Sequence, residues 1–360
     1  MNQKKLVKRT AISLFTLFAL TYVAPSISQA SKITPSTISK SKTANQKSFN
    51  LRVHIWDVSD LAFTNDGKTL VSGSFDETIQ VWDLSRRRLI RSLPGHKAGV
   101  NAVAITADGS TLVSAGGSTT PNSDNTIRIT NLKTGRVIRT LRGHTLGITS
   151  LSISPDGQTL VSGSYDRTIK VWNLKTGQLI NTLTGHGARV RAVAISPDGK
   201  TLVSGGGEPD TNTDNAIRVW DLESGKLNRS IATNTKSISF VSFTPDAKII
   251  VSGSEDAVKL WNSQSGELIN TINAPTPEGI KAIALSPDGI IATTSLDASV
   301  RLWNLADGKQ LRTLIPPAND QNYDRPYPSS VRFSPDGRTI AIGYGGGAFH
   351  SQFPINVQSL

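Results

Sequence analysis

One short turn, met seven times, constrains this chain more than any other feature. It reads Thr64-Asn65-Asp66-Gly67, Thr106-Ala107-Asp108-Gly109, Ser154-Pro155-Asp156-Gly157, Ser196-Pro197-Asp198-Gly199, Thr244-Pro245-Asp246-Ala247, Ser286-Pro287-Asp288-Gly289 and Ser334-Pro335-Asp336-Gly337, and the copies are spaced alternately by 42 and 48 residues. A period of this length means stacked copies of one supersecondary unit. The unit is clearest over residues 143–186, where apolar runs at 148–154, 159–164, 168–174 and 178–183 are separated by Pro-Asp-Gly, Tyr-Asp-Arg and Lys-Thr-Gly. Runs this short, rich in Val, Ile, Leu and Thr, read as the strands of a β-meander. No helix of ordinary length fits between the breakers.

Each unit opens near a Gly-His pair, at Gly95-His96, Gly143-His144 and Gly185-His186. It closes on Trp82-Asp83, Trp172-Asn173, Trp220-Asp221, Trp261-Asn262 or Trp303-Asn304. On these motifs the chain resembles the WD-repeat β-propeller family, over nearly everything after residue 47, and reads as an exported, bacterial-type member. The resemblance implies an all-β fold, a seven-bladed propeller of four-stranded antiparallel blades. Residues 355–360 match a third strand and the chain stops there, so the last blade lacks an outer strand. Residues 48–53 match an outer strand with no blade of their own. The N-terminal strand is therefore expected to close the ring, which also removes an unpaired edge. The first strands alternate large and small residues, as in Ala102-Val103-Ala104-Ile105. Each should turn its large side to one neighbouring blade and its small side to the other.

The resemblance further implies a hydrogen-bonded chain of His, Ser, Asp and Trp in a blade. By position these are His54, Ser72, Asp76 and Trp82; His144, Ser162, Asp166 and Trp172; and His186, Ser204, Asp214 and Trp220. The second blade has Thr130 where Trp is expected, and the fifth and sixth have Asn234 and Thr276 where His is expected. A Ser/His/Asp set also looks like a hydrolase triad. The same set in three blades speaks for structure, since a catalytic site would occur once. Four of the five histidines (54, 96, 144 and 186) occupy one repeat position on four blades, so they cannot converge on one metal. The run from Asp210 to Asp214 alternates oxygen ligands like a calcium loop but lacks the glycine and the downstream glutamate, and reads as a turn. No cofactor and no metal is expected, and no catalytic residue.

The formal net charge of +12 suggests nucleic acid until it is located. Residues 1–47 hold eight Lys and Arg and no Asp or Glu, leaving a formal +4 for the repeats. That is too little for a basic groove, and no aromatic-basic stripe or phosphate loop is present, so no nucleic-acid partner is expected. There is no cysteine, which excludes disulfides and thiolate metal sites.

Residues 1–30 read as a signal peptide: Lys4, Lys5, Lys8 and Arg9, then a mostly apolar stretch over 11–24, then Ser28-Gln29-Ala30 before a cut. The stretch is short for a permanent span, so none is expected after cleavage, an uncleaved anchor being the alternative. Residues 31–47, polar and lysine-rich, read as a disordered linker, and 48–360 as the propeller. The expected location is the periplasm, a thylakoid lumen or the exterior.

Departures from the repeat gather in one place. Insertions at 116–123, 205–213 and 344–350 all lie between second and third strands, and the long connection at 316–328 precedes the seventh blade. In propellers these loops share a rim with the Gly-His loops, and loops on a rigid scaffold carry function. The expected function is an exported, non-catalytic scaffold that binds a protein partner through this rim, as a monomeric propeller within a complex. Candidate contacts are Trp56, Asp57, Phe75, Tyr165 and Arg189, then Tyr323, Arg325, Tyr327 and Phe349, chosen because Tyr, Trp and Arg anchor interfaces. The alternatives are a small-ligand or glycan binder, or an enzyme, using the mouth of the central channel, and a purely architectural subunit.

Overall fold

The computed structural model describes residues 48–120, 123–208, 214–273, 279–318, 326–346 and 353–360. The expected signal peptide and linker, as well as Tyr323, Arg325, Phe349 and residues 210–213, lie outside them. The described residues form twenty-eight strands in seven four-stranded antiparallel sheets, and no helix. In blade 1 the strands run Val58–Phe63, Thr69–Ser74, Thr78–Asp83 and Arg88–Pro94, each hydrogen-bonded to the next. Blades 2 to 6 repeat this order from inner strands at Val100–Ile105, Ile148–Ile153, Val190–Ile195, Phe240–Phe243 and Ile280–Leu285. The turn spacing thus translates directly into a propeller.

The repeated turn closes the first two strands of every blade. In blade 1 the Thr64 hydroxyl donates to Asp66 Oδ1 at 2.6 Å, and Asp66 Oδ1 accepts the Lys68 N–H at 3.0 Å. The fourth residue turns the chain with a positive φ, +66° at Gly67. Glycine adopts this readily, whereas Ala247 is forced to +59° in blade 5.

The core sits between blades, and each of the seven hydrophobic clusters straddles one junction. Val103 and Ile105 pack on blade 1, while Ala102 and Ala104 pack on blade 3. The small side does more than make room. The inner edge of each innermost strand has no strand beside it, so its N–H groups need other acceptors. Ser150 Oγ accepts the Val193 N–H at 3.2 Å and Ser152 Oγ the Ile195 N–H at 3.0 Å, both from the next blade.

Blade 7 runs Tyr327–Phe333, Thr339–Gly345 and Phe353–Ser359, and its fourth strand is the N-terminal Ser48–His54. Ser48 lies opposite Gln358 and Leu51 opposite Ile355. A buried ion pair joins the two ends of the ring: Arg332 donates to Leu61 O at 2.8 Å and lies 3.3 Å from Asp60 Oδ1. Asp60 Oδ2 accepts the Val103 N–H at 3.0 Å, so one side chain links blades 7, 1 and 2. Burial pushes the Asp60 carboxyl up to about 6, against the lowering influence of Arg332 and of two backbone N–H groups.

Candidate functional site

Two sets of loops meet at one rim. The loop after the second strand bonds to the Gly-His loop through Phe75 N to Asp57 O at 3.1 Å in blade 1 and Tyr165 N to Gly147 O at 3.0 Å in blade 3. Beneath the rim lie the His-Ser-Asp-Trp chains. In blade 3, His144 Nδ1 is 2.8 Å from Asp166 Oδ2 and its Nε2 is 2.8 Å from Ser162 Oγ, which accepts the Trp172 indole N–H at 2.9 Å. A carboxylate only accepts, so Nδ1 carries the proton and Ser162 donates to Nε2. Every polar atom of the chain is then satisfied. The spacing repeats in blade 1 with His54, Asp76, Ser72 and Trp82 (2.8, 2.8 and 3.0 Å) and in blade 4 with His186, Asp214, Ser204 and Trp220 (2.7, 2.8 and 2.9 Å). The neighbouring His and Thr168 hold the Asp166 carboxyl below the usual range against the opposing effect of burial.

The departures are instructive. Blade 2 keeps His96 Nε2 on Ser114 at 2.9 Å, but Nδ1 stands 3.6 Å from Asp124 and has no hydrogen-bond partner, while Arg128 pairs with Asp124 Oδ2 at 2.9 Å. Burial pushes the His96 imidazole below its ordinary value. Blades 5 and 6 keep only the far end: Trp261 donates to Ser252 at 2.8 Å and Trp303 to Thr293 at 2.9 Å. No group of three or more His, Cys, Asp or Glu side chains is placed to hold a metal among the described residues.

The expected contact residues separate into three places. Trp56 is 62% exposed beside Ile55 on the loop leading into blade 1. Arg189 pairs with Glu208 at 3.1 Å and lies 5.2 Å over the ring of Tyr165, joining blades 3 and 4. Tyr165 itself is buried, and Phe75 is half-buried on the same kind of loop. Asp57 and Tyr327 meet where blade 7 joins blade 1. Asp57 Oδ1 accepts the Gly346 N–H at 2.9 Å, and burial, the Asp57 charge and its hydrogen bond all push the Tyr327 phenol up.

A ring of residues that the sequence reading passed over lies just inside this rim. It is the position five residues before the turn in every blade, at or beside the start of the innermost strand, occupied by Ser59, Asn101, Thr149, Arg191, Ser239, Lys281 and Ser329. Four of the short residues reach the next blade: Ser59 donates to Val100 O (2.5 Å), Asn101 to Ile148 O (2.8 Å), Thr149 to Val190 O (2.7 Å) and Ser329 to Val58 O (2.8 Å). Ser239 bonds within its own blade, to Gly253 O at 3.3 Å. Arg191 and Lys281 break the pattern. The signal was available: counting from the turn gives the position in every blade. At the other end of the axis the chain leaves a 70 Å³ cavity with Phe63, Phe240, Leu285 and Phe333 in its wall.

No helix among the described residues is long and apolar enough to cross a membrane. A family model described as WD40, WD domain, G-beta repeat, matches residues 45–83, 87–131, 135–173, 177–221, 225–262 and 266–304. Each match starts in or just before an outer strand and ends on the third strand of the next blade. Shorter stretches are similar to curated proteins. The chain is 48% identical over 48 residues to small ribosomal subunit protein RACK1y of Oryza sativa, covering 13% of this chain and 14% of that protein. It is 35% identical over 71 residues to the U5 small nuclear ribonucleoprotein 40 kDa protein of Homo sapiens (19% and 20%), and 31% identical over 94 residues to mitochondrial division protein 1 of Saccharomyces cerevisiae (22% and 13%). The chain spans a fifth or less of the length of these relatives. With six repeat matches laid over six blades, and the His-Ser-Trp chains beneath one rim, the chain belongs to the WD40 repeat family.

Proposed function

We propose that this protein is an exported, non-catalytic scaffold that binds a protein partner through the Gly-His rim. The observation that carries the reading is the rim itself. An exposed Trp56 and a half-exposed Arg189, stacked on Tyr165, stand on short loops anchored by buried hydrogen-bond chains. Aromatic and arginine side chains held in place lose little freedom on binding, so more of their contact energy appears as affinity. The names of two relatives place those proteins in large assemblies, a ribosomal subunit and a ribonucleoprotein. That supports a subunit role here. Export rests on the leader-like residues 1–30.

The test is a pull-down from the exported fraction with the wild-type chain and a Trp56→Ala/Arg189→Ala variant. One protein recovered in near-equal amount with the wild type, and lost with the variant, is expected. Equal recovery with both, or no protein with a folded wild type, overturns the reading.

A further inference from the structure

The formal +4 of the repeats is not spread evenly. The turn after the third strand, with the fourth strand that follows it, spans residues 84–93, 132–141 and 174–183 in blades 1 to 3. These stretches hold eight Lys and Arg and no Asp or Glu. The same stretches of blades 4 to 6, at 222–231, 263–272 and 305–314, mix four cations with three carboxylates. Because the strands are antiparallel, these turns lie on the rim opposite the Gly-His loops. Of the eight cations on blades 1 to 3, Arg86 alone has a carboxylate within ion-pair distance among the described residues, Asp83 at 2.9 Å.

The cations form one arc. Arg91 reaches from blade 1 to Lys133 O of blade 2 at 3.1 Å, and Arg139 from blade 2 to Lys175 O of blade 3 at 3.2 Å. Both give an N–H to a carbonyl and keep their charge. Arg87 lies 4.7 Å over the ring of Phe49, which carries the arc to the closing strand of blade 7. Apolar side chains stand between the cations on the same edge: Leu89 and Ile90 are 36% and 51% exposed, Val137 and Ile138 41% and 53%. Exposed apolar pairs recur on blades 3 and 5, so it is the charge that singles out this side of the ring. Between blades 2 and 3 the arc borders a 470 Å³ cleft walled by Ile138, Arg139, Leu174 and Lys175, a size within the range of ligand sites. Asp108 and Asp156 also line it, each engaged in its own turn by the Ser110 and Gln158 N–H groups, both at 3.0 Å.

We infer that the outer edge of blades 1 to 3, on the rim opposite the Gly-His loops, is a docking surface for an anionic lipid bilayer. Cations beside a membrane are drawn to its anionic headgroups, and apolar side chains among them bury just below the headgroup level. A soluble acidic segment would use the cations and leave the Leu-Ile and Val-Ile pairs in water, whereas a bilayer takes up both. The cleft gives one headgroup phosphate a place beside Arg139 and Lys175. A propeller docked this way keeps its Gly-His rim turned from the bilayer, so the inference stands whether or not that rim binds a protein.

Co-sedimentation of the chain isolated from cells with lipid vesicles tests it, using phosphatidylcholine alone or in equal mixture with phosphatidylglycerol, at physiological salt. The test variants are Arg88→Gln/Arg136→Gln and Ile90→Ser/Ile138→Ser. The control is Lys226→Gln/Lys309→Gln, at the repeat position of Arg88 and Arg136 but on blades 4 and 6. All share the same N-terminal residues, so any binding through those is common to them. Wild type and control are expected to sediment with the mixed vesicles, not with phosphatidylcholine alone, and to be released by high salt. The arginine pair is expected to bind at least about tenfold more weakly, and the isoleucine pair more weakly than wild type. Absence of sedimentation with the mixed vesicles, or equal binding by wild type and either folded test pair, overturns the inference. A control that loses as much as the arginine pair overturns the placement on blades 1 to 3. Saturable binding of hexaglutamate, lost in the arginine pair while the mixed vesicles are refused, overturns the bilayer and assigns the arc to an acidic polypeptide.

Discussion

Ser162 serves two buried partners at once, donating to His144 and accepting from Trp172. Ser114, at the same repeat position, serves only His96, because Thr130 replaces the tryptophan. An unsatisfied buried polar group costs about 1–3 kcal/mol. Ser162→Ala is therefore expected to lower stability by about 2–4 kcal/mol and Ser114→Ala by about 1–2 kcal/mol, read by denaturant titration. Equal losses would deny that the hydroxyl is shared. Ala247 offers the opposite case. Its φ of +59° is one that glycine adopts in the other six turns. Ala247→Gly is expected to stabilise the fold by about 1 kcal/mol, measured the same way, with no change or a loss contradicting the turn assignment. Both features were legible in the sequence, because a repeat exposes its own exceptions. Tyr165 was legible only as a residue type. Its burial under Arg189 depends on two loops of different blades, which spacing does not encode.

Among the elements, the turns and strands could be read nearly to the residue. Thr168 was expected in a third strand but belongs to the turn, where its hydroxyl donates to Asp166 Oδ1 at 2.6 Å. The N-terminal strand could be placed because residues 48–53 match an outer strand that precedes the first blade and has no blade of its own. Leu51→Asp would bury a charge in the closure cluster, and is expected to release the N-terminal strand to protease before the other blades unfold. A variant as resistant as wild type would argue against closure by this strand. The Asp60–Arg332 pair could not be foreseen, since its members stand 272 residues apart and only a closed ring joins them. It has a signature in pH. The folded Asp60 takes its proton near pH 6 and the unfolded one near 3.8, so between these values the folded state binds the extra proton. Its contribution is complete below 3.8 and is lost as pH rises through about 6. Subtracting the stability profile of Asp60→Asn from that of wild type should leave a difference that falls across this window. A flat difference would contradict the shift.

At the scale of the whole molecule, seven similar blades make a ring whose two ends are unlike. One end of the axis holds a small cavity walled by Phe63, Phe240, Phe333 and the paired Arg332, and the other carries the Gly-His rim with exposed Trp56. The symmetric part of the chain builds the scaffold, and the insertions that depart from it sit on one rim. That is why fold was so legible and the site less so: the repeat pattern specifies packing, whereas recognition lies in the residues that break it. The central claim is that a protein partner docks on this rim and not on the other. The direct measurement is the affinity of the recovered partner for wild type, for Trp56→Ala/Arg189→Ala and for Lys133→Ala/Lys175→Ala on the opposite rim, by calorimetry with all three chains folded. A loss of about 2 kcal/mol or more for the first variant, with the second at wild-type strength, is the expected result. The reverse ranking, or no change in either, would contradict the account.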